Sequence, residues 1–305
     1  MWSSLYPPMN WDAYKAQWPH AAHSQFVSTP GLRWHVQVMG QGPVMLLLHG
    51  TGASTHTWRR MLPVLAQHFT VVCPDLPGHA FTSPHQSLSL SLPNMSGFVD
   101  QLLHALHLKP SVVVGHSAGA ALGAHWVLQH SRAVAHTALV ALNPAWLALP
   151  GLAYWLFPPA AKLMALNPAS GFLTSKFWAT PEKVERLIAS TGSRLSAQDL
   201  SYYGSLLASS THINGVLSMM SSWNVQALEE RLQQLKGPVL MCIGSNDQTV
   251  SPSQAHQTAL LLPHAQTHFF EGLGHLAHEE DPQQTCEVML TWLATTQRTK
   301  TGRSE

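Results

Sequence analysis

The sequence predicts an α/β fold built on a mostly parallel, doubly wound sheet. Short aliphatic and β-branched runs alternate with amphipathic helical patterns, an order typical of parallel strands with helices on both faces. The chain has 305 residues, 45% of them apolar, which is enough to bury a large core. The predicted strands are 32–39, 44–49, 70–74, 111–115, 138–142, 239–243 and 267–271. The predicted helices are 57–67, 95–108, 118–130, 253–262 and 281–295.

This alternation stops between about residue 145 and residue 236, where we find helical patterns rich in Leu, Met and Trp but no convincing strand. We therefore predict a core formed by residues 1–144 and 237–305, with a helical cap inserted at 145–236. An insertion at this point would lie over the carboxyl ends of the strands and act as a lid.

The composition excludes several classes of function. Charged residues are 10% of the chain and the net charge is +1, so neither a nucleic-acid footprint nor a polybasic membrane patch is expected. Three cysteines, Cys73, Cys242 and Cys286, lie far apart, which argues against a disulfide framework and against a zinc site. Met1–Leu5 lacks a basic start followed by an apolar run, so we expect a cytoplasmic protein. Residues 137–157 carry no charge, which leaves peripheral contact with a membrane open, although Asn143 and several prolines argue against a span.

A nucleophile elbow is predicted at Gly115-His116-Ser117-Ala118-Gly119. A β-branched run ends there in a serine with glycines two residues to either side, and a helix of small residues follows. Such a turn strains the backbone of the serine and holds its hydroxyl clear of the sheet edge. Ser117 is therefore the candidate nucleophile.

Two later strand ends supply the partners that a serine nucleophile needs. In doubly wound enzymes with such an elbow, the acid and then the histidine follow the serine, each after a later strand. Asp247 follows the strand 239–243, and His275 lies in a glycine loop after the strand 267–271. His278 is the alternative base. Asn143 occupies a place where some relatives of the fold keep their acid, but an amide cannot stabilise an imidazolium by charge.

An oxyanion formed beside Ser117 requires two backbone amides. Ala118 is the candidate for the first and Thr51 for the second, with Gly52 as the alternative in the bent loop after strand 44–49. This loop lacks the Lys-Ser pair of a phosphate cradle, and no dinucleotide-binding glycine pattern opens a helix.

No metal or other cofactor is predicted. His275, His278, Glu279 and Glu280 lie close in sequence, but their spacing is not a familiar metal-ligand pattern. Glu279 and Glu280 are instead expected to favour the start of the final helix. Asp75 is expected to fix its own loop by hydrogen bonds.

We expect an apolar substrate pocket, lined partly by the cap. The candidate lining residues are Gly52, His116, Asn143, Phe157, Met164, Met219, Met220 and Trp223.

With these motifs in place, the chain resembles the α/β-hydrolase superfamily. Within it the chain is most similar to the magnesium-chelatase accessory proteins of bacteriochlorophyll synthesis, the BchO-type hydrolases. The similarity is carried by 31–39, by 49–59, by the elbow, by Met219-Met220-Ser221-Ser222-Trp223-Asn224 and by the histidine loop at 272–280. Ala80 departs from the glycine common in such proteins. The resemblance implies a role in tetrapyrrole synthesis without fixing the reaction.

The sequence therefore supports a serine hydrolase acting on an ester or related acyl bond of an apolar small molecule, a tetrapyrrole being one candidate. The alternative is an accessory protein that assists magnesium chelatase by binding a porphyrin or a partner subunit. A third hypothesis uses the same triad for perhydrolysis or carbon–carbon bond hydrolysis. The sequence does not predict an oligomeric state.

Overall fold

A single twisted sheet organises the chain. The computed structural model describes residues 9–84, 89–130, 137–148, 177 and 179–301. Within these ranges the sheet has nine strands in the order β1-β2-β4-β3-β6-β7-β8-β9, with β5 beside β2. The strands are β1 (Ser24–Thr29), β2 (Leu32–Met39), β3 (Val44–Leu48), β4 (Thr70–Pro74), β5 (Ser83–Pro84), β6 (Pro110–His116), β7 (Ala138–Leu142), β8 (Val239–Gly244) and β9 (Gln266–Phe270).

Strands from β4 through β3, β6, β7 and β8 to β9 are parallel, whereas β1, β2 and β5 pair in antiparallel fashion. The fold class predicted from the sequence is therefore confirmed. The carboxyl ends of the parallel strands meet at one edge, where an α/β sheet offers space for a ligand.

The described helices are α1 (Trp11–Tyr14), α2 (Leu62–Leu65), α3 (Leu92–Ala105), α4 (Ala118–Gln129), α5 (Pro181–Ala189), α6 (Ala197–Leu207), α7 (Ser210–Ser222), α8 (Gln226–Glu229), α9 (Pro252–Leu261), α10 (Ala277–Glu280) and α11 (Pro282–Thr301). Short 3-10 turns lie at Ala21–His23, Thr55–Trp58 and Leu232–Gln234. Of the ranges described here, none contains a helix with the length and apolar character needed to cross a bilayer.

The central strands are apolar at almost every position because both of their faces are buried. Leu46 and Leu48 of β3 pack into one core with residues of α3 and α4. Met45 and Leu47, which point the other way, pack into a second core that includes Trp292 of α11. These two cores fix the strand ends that carry the site.

Two local predictions differ from the structure. The predicted helix 57–67 is a 3-10 turn, Thr55–Trp58, followed by the short α2, because Pro63 cannot donate a backbone hydrogen bond and marks a new helix start. The hairpin strand β1 was not predicted, since its sequence is polar at several positions and no residue of it is fully buried.

Helices α5 to α8 lie between β7 and β8, inside the range predicted as a cap. We call residues 179–236 the cap segment. The domain boundaries themselves stay a prediction.

Candidate active site

Ser117 stands at the junction of β6 and α4 with an unusual backbone conformation. Its φ is 53° and its ψ is −117°, a combination that costs a residue other than glycine about 1–3 kcal/mol. A side chain at Gly115 would overlap the carbonyl of Gly119, and one at Gly119 would overlap the carbonyl of Leu48. Both glycines are therefore required for the helix to begin so close to the strand. The Ser117 amide donates to the Leu142 carbonyl of β7 at 3.0 Å, which holds the turn at the sheet edge.

Asp247 and His275 form a buried pair at the same edge. The His275 Nδ1 donates to the Asp247 Oδ2 at 2.7 Å. The same oxygen accepts the side-chain amide of Asn143 at 2.7 Å, and Oδ1 accepts the backbone amides of Thr249 and Val250 at 2.7 and 2.9 Å. This donor set suits an ionised carboxylate, which can only accept hydrogen bonds. With its Nδ1 proton committed to Asp247, the imidazole has Nε2 available to take up another proton.

Asn143 and His116 support this pair. The backbone of Asn143 is left-handed, with φ 45°, and its amide donates to the Cys242 carbonyl at 2.8 Å, so its side chain reaches Asp247. The His116 Nε2 donates to the His275 carbonyl at 2.9 Å. Its ring lies 4.8 Å from the ring of His275. Burial lowers the pKa of His116 well below its ordinary value, so the ring stays neutral. The sequence analysis expected both residues in the pocket wall, and their observed contacts are with the acid and the base.

The structure joins two of the three predicted catalytic residues directly. Between described residues, the Ser117 hydroxyl is not hydrogen-bonded to the His275 ring. The nearest link is made by the neighbouring His116, whose ring donates to the His275 backbone carbonyl. In enzymes without substrate, such hydrogen bonds are often long and tighten in the bound complex. The triad therefore stays a prediction, in which the contact between Asp247 and His275 is formed and the contact between His275 and Ser117 is not.

The loop after β3 lies against the nucleophile. A methyl group at Gly50 would come within 3.2 Å of the Ser117 Cβ. The Ala53 amide donates to the Gly50 carbonyl at 3.2 Å, and Gly52, with φ 77°, borders open space. Thr51 directly follows Gly50 in this turn, and its amide stays the predicted second donor to the oxyanion. Ala118 opens α4, where the first amides of a helix lack carbonyl partners within the helix.

One pocket candidate, from α7, contacts this loop. Met219 is fully buried, and its sulfur lies 3.9 Å from the Thr51 hydroxyl. Met220 and Trp223 are half-buried. Phe157 and Met164 lie outside the described residues.

Helix α7 is anchored to the core at two points. The His212 Nδ1 accepts the Ala80 amide at 3.0 Å. Burial lowers the pKa of His212 to about 4, so the ring is neutral near pH 7. A nitrogen of a neutral ring can accept the Ala80 amide, whereas both nitrogens of a protonated ring are donors. One turn further on, Gly215 packs directly on the backbone of Gly78, and a side chain at Gly215 would overlap the Gly78 carbonyl.

Asp75 fixes its loop, as the sequence analysis expected. Its Oδ1 accepts the Thr55 amide at 2.7 Å, and its Oδ2 accepts from the His35 Nδ1 at 2.8 Å and from the Phe81 amide at 3.3 Å. This buried carboxylate joins its own loop to β2 and to the 3-10 turn at Thr55–Trp58.

The expected role of Glu279 and Glu280 at the start of the final helix is wrong. Glu279 is buried and accepts hydrogen bonds from Thr57 at 2.6 Å, from Arg59 at 2.5 Å and from Tyr203 of the cap segment. Arg59 also pairs with Asp199 of the cap segment at 2.5 Å. The Glu280 Oε2 accepts the Gly274 amide at 2.7 Å. A carboxylate this deeply buried needs specific partners, and helix-dipole stabilisation alone would not satisfy it.

These contacts were missed because their partners are distant in sequence. No feature of the sequence beside Arg59 or Glu279 marks this pairing. In the part of the chain that the structure describes, no group of three or more His, Cys, Asp or Glu side chains is arranged to hold a metal ion.

A family model described as the α/β hydrolase fold matches residues 43–282. The chain belongs to the α/β-hydrolase family. Among curated relatives of this α/β hydrolase, the magnesium-chelatase 30 kDa subunit of Rhodobacter capsulatus is 32% identical over 92% of this chain and 98% of that protein. This match confirms the resemblance to the BchO type. The pimeloyl-[acyl-carrier protein] methyl ester esterase of Vibrio vulnificus is 27% identical over 85% of this chain and 97% of that protein.

A solved structure of an α/β-hydrolase-fold protein from Burkholderia ambifaria superimposes with a TM-score of 0.72 at 22% identity. The match covers 88% of this chain and 97% of that chain. At this level of identity the likeness shows the fold.

Proposed function

We propose that this α/β hydrolase is a serine hydrolase that cleaves an ester or related acyl bond of an apolar substrate. The observation that carries the proposal is the Asp247–His275 pair. Both oxygens of the Asp247 carboxylate accept hydrogen bonds. The pair lies at the sheet edge where Ser117 is held in a strained turn. A strained serine beside an oriented imidazole is the arrangement that nucleophilic catalysis needs.

In the proposed reaction the Ser117 oxygen attacks the substrate carbonyl carbon while its proton passes to the His275 Nε2. Asp247 holds the imidazole in the required tautomer and stabilises the imidazolium that forms. The tetrahedral oxyanion accepts hydrogen bonds from the amides of Ala118 and Thr51. The intermediate then collapses, and the leaving alcohol takes the proton from His275. Water, deprotonated by the same imidazole, then attacks the acyl carbon. As this second tetrahedral intermediate collapses, the bond to the Ser117 oxygen breaks, the imidazolium returns its proton to that oxygen, and the acid is released.

The substrate class follows from the residues beside the site. Met219 of the cap segment lies against the Thr51 side chain, and Met220 and Trp223 follow it in the chain; all three offer apolar surface. The similarity to a methyl ester esterase supports an ester as the scissile group. The relative named as a chelatase subunit supports a substrate from tetrapyrrole synthesis.

Covalent labelling tests this proposal. A fluorophosphonate probe reacts with an activated serine, and we expect one equivalent on the native protein and none on Ser117→Ala. Ser111→Ala is the matched control, since Ser111 lies at the opposite end of β6, is exposed and donates only to the Val44 carbonyl at 3.2 Å. If folded native protein is not labelled, the proposed function is wrong.

A second candidate is an accessory role for a magnesium chelatase, without a requirement for hydrolysis. The observation that favours it is the full-length similarity to a protein named as a chelatase subunit. The test is complementation of a Rhodobacter capsulatus strain that lacks this subunit, with pigment accumulation as the readout. Restoration by Ser117→Ala as efficient as by the native chain would favour the accessory role. Restoration by the native chain alone would favour hydrolysis.

A further inference from the structure

We infer that residues 191–194 of the cap segment, the clamp loop, position the acid and the base against each other. The inference rests on the proposed function, because it treats Asp247 and His275 as the acid–base pair. In this inference the cap segment holds the acid and the base in position, in addition to its predicted role as a lid.

One carbonyl of the clamp loop bridges two other loops: the acid loop, residues 245–250 after β8, and the base loop, residues 271–276 after β9. The Thr191 oxygen accepts the His275 amide at 3.2 Å and the Gln248 amide at 3.1 Å. A carbonyl oxygen has two lone pairs, so both bonds form at once. Gln248 directly follows Asp247 in the chain. The Thr191 carbonyl therefore ties the backbone of the base to the backbone beside the acid.

The next residues of the clamp loop repeat this pattern. The Gly192 carbonyl accepts the Asn246 side-chain amide at 2.8 Å, on the acid loop. The buried Ser193 hydroxyl accepts the Leu276 amide at 2.8 Å, on the base loop. The residues just before Asp247 and just after His275 are therefore both held by adjacent positions of the clamp loop.

The carboxylate of Glu280 adds a third tie. Its Oε1 accepts the Arg194 amide at 2.9 Å, and its Oε2 accepts the Gly274 amide at 2.7 Å. Gly274 directly precedes His275. The base loop is therefore fastened to the clamp loop on both sides of the imidazole.

Steric fit shows that the clamp loop is seated directly on these loops. Gly192 has φ +83°, and a side chain there would overlap the Asn246 carbonyl. A side chain at Gly274 would overlap the backbone of Gly192 and Ser193. The backbone of the clamp loop is thus in direct contact with the backbone of both the acid loop and the base loop. A small shift of the clamp loop must therefore move the acid or the base.

The clamp loop adds to the contacts that the acid and base loops make with each other. Beyond the ends of β8 and β9, the Ser245 hydroxyl accepts the Gly272 amide at 2.8 Å, the Asn246 amide donates to the Leu273 carbonyl at 2.9 Å, and Asp247 pairs with His275. The clamp loop holds the residues on either side of Asp247, and it also holds His275 and Leu276. Misplacement of a catalytic group by about 1 Å can lower a rate about a hundredfold, so this bracing affects turnover.

The test compares Ser193→Ala with Ser201→Ala. Ser193→Ala leaves the buried Leu276 amide without its acceptor. Ser201 is a matched control from α6, since its hydroxyl is exposed and donates only to the Gln198 carbonyl at 2.6 Å. We expect fluorophosphonate labelling of Ser193→Ala to slow by about tenfold or more. With an ester that the protein hydrolyses, we expect kcat of Ser193→Ala to fall and its KM to stay within about twofold of the native value. Ser201→Ala should match the native protein in labelling rate and in ester hydrolysis.

A proton signal distinguishes positioning from general stability. The His275 Nδ1 proton, shared with Asp247, should give a low-field NMR resonance that is absent in His275→Gln. In Ser193→Ala this resonance should move or broaden while the far-ultraviolet circular dichroism stays native. An unchanged resonance together with labelling within about twofold of native would overturn the inference.

Asn246→Asp tests the acid side in case Ser193→Ala does not fold. The change keeps the shape of an exposed side chain but removes the donor to the Gly192 carbonyl. It should alter the same resonance and slow labelling, and native values for both would refute the clamp. If native protein shows the resonance but takes no label, the proposed function fails. The clamp is then still decided by the response of the resonance to these two variants.

Discussion

Acid should unfold this protein before most of its carboxylates titrate, because many histidines are buried in the neutral state. Desolvation on burial lowers the pKa of His56, His79 and His116 well below the ordinary value of 6.5. The same cause lowers the pKa of His212 to about 4 and that of His278 to about 3. Each ring is closely packed, so protonation requires the surrounding structure to open.

The sign of the effect follows from which state binds the proton. As the pH falls through 6.5, the unfolded chain protonates these rings and the folded protein does not, so the free energy of unfolding decreases. At about pH 5 each ring accounts for about 2 kcal/mol of lost stability. Five such rings account for roughly 10 kcal/mol, which is comparable to the total stability of a typical domain, about 5–15 kcal/mol. Glu279 opposes this trend in part, because desolvation raises its pKa and the folded state takes up that proton first.

Urea denaturation followed by tryptophan fluorescence, at steps between about pH 7.5 and about pH 5, measures the effect. His278→Gln should flatten the decline by about 2 kcal/mol, since one titrating ring is removed. His104→Gln is the control, because His104 is largely exposed and its variant should follow the native curve. A free energy of unfolding that stays constant over this pH range would refute the reasoning.

Two further substitutions test contacts near the site. Gly215→Ala should destabilise the protein by about 1–3 kcal/mol in urea denaturation, because its methyl group overlaps the Gly78 carbonyl. Gly204→Ala, in the neighbouring cap helix, meets only ordinary van der Waals contact and should leave stability unchanged or raise it by up to about 1 kcal/mol; equal effects of the two would contradict the proposed close approach. Asn143→Ala removes a donor from the buried Asp247 carboxylate, and we expect fluorophosphonate labelling to slow by about tenfold with the stoichiometry unchanged. A native labelling rate in this variant would show that the amide is dispensable.

Residues whose position is dictated by local sterics were predictable from the sequence. The elbow at Ser117 follows from two glycines that the strand-to-helix turn requires. The turns at Asp247 and His275 follow from the order of strand ends in a parallel sheet. The order of the strands along the chain was therefore sufficient to predict that Asp247 and His275 lie at the carboxyl edge of the sheet.

Contacts made by backbone carbonyls or by distant partners were not predictable. The Thr191 carbonyl has no side-chain signature, so nothing in the sequence marks the clamp loop. For Asn143 the sequence predicts only a position in the pocket wall, because its contact with Asp247 depends on a left-handed backbone that the sequence does not reveal. The Glu279 contacts depend on Arg59, 220 residues away in sequence.

The backbone contacts of residues 191–194 constrain how the insertion of this chain can be exchanged for that of a relative. Replacement of the whole segment between β7 and β8 would pack a different turn against the loops that carry Asp247 and His275. The two acceptors that Thr191 and Ser193 supply would then be lost. Chimeras that retain 191–194 from the recipient, with crossover points on either side, keep those acceptors while exchanging the rest of the insertion. Exchange of α7, which carries the proposed pocket residues Met219 and Met220, therefore disturbs the acid–base pair less than replacement of the whole insertion.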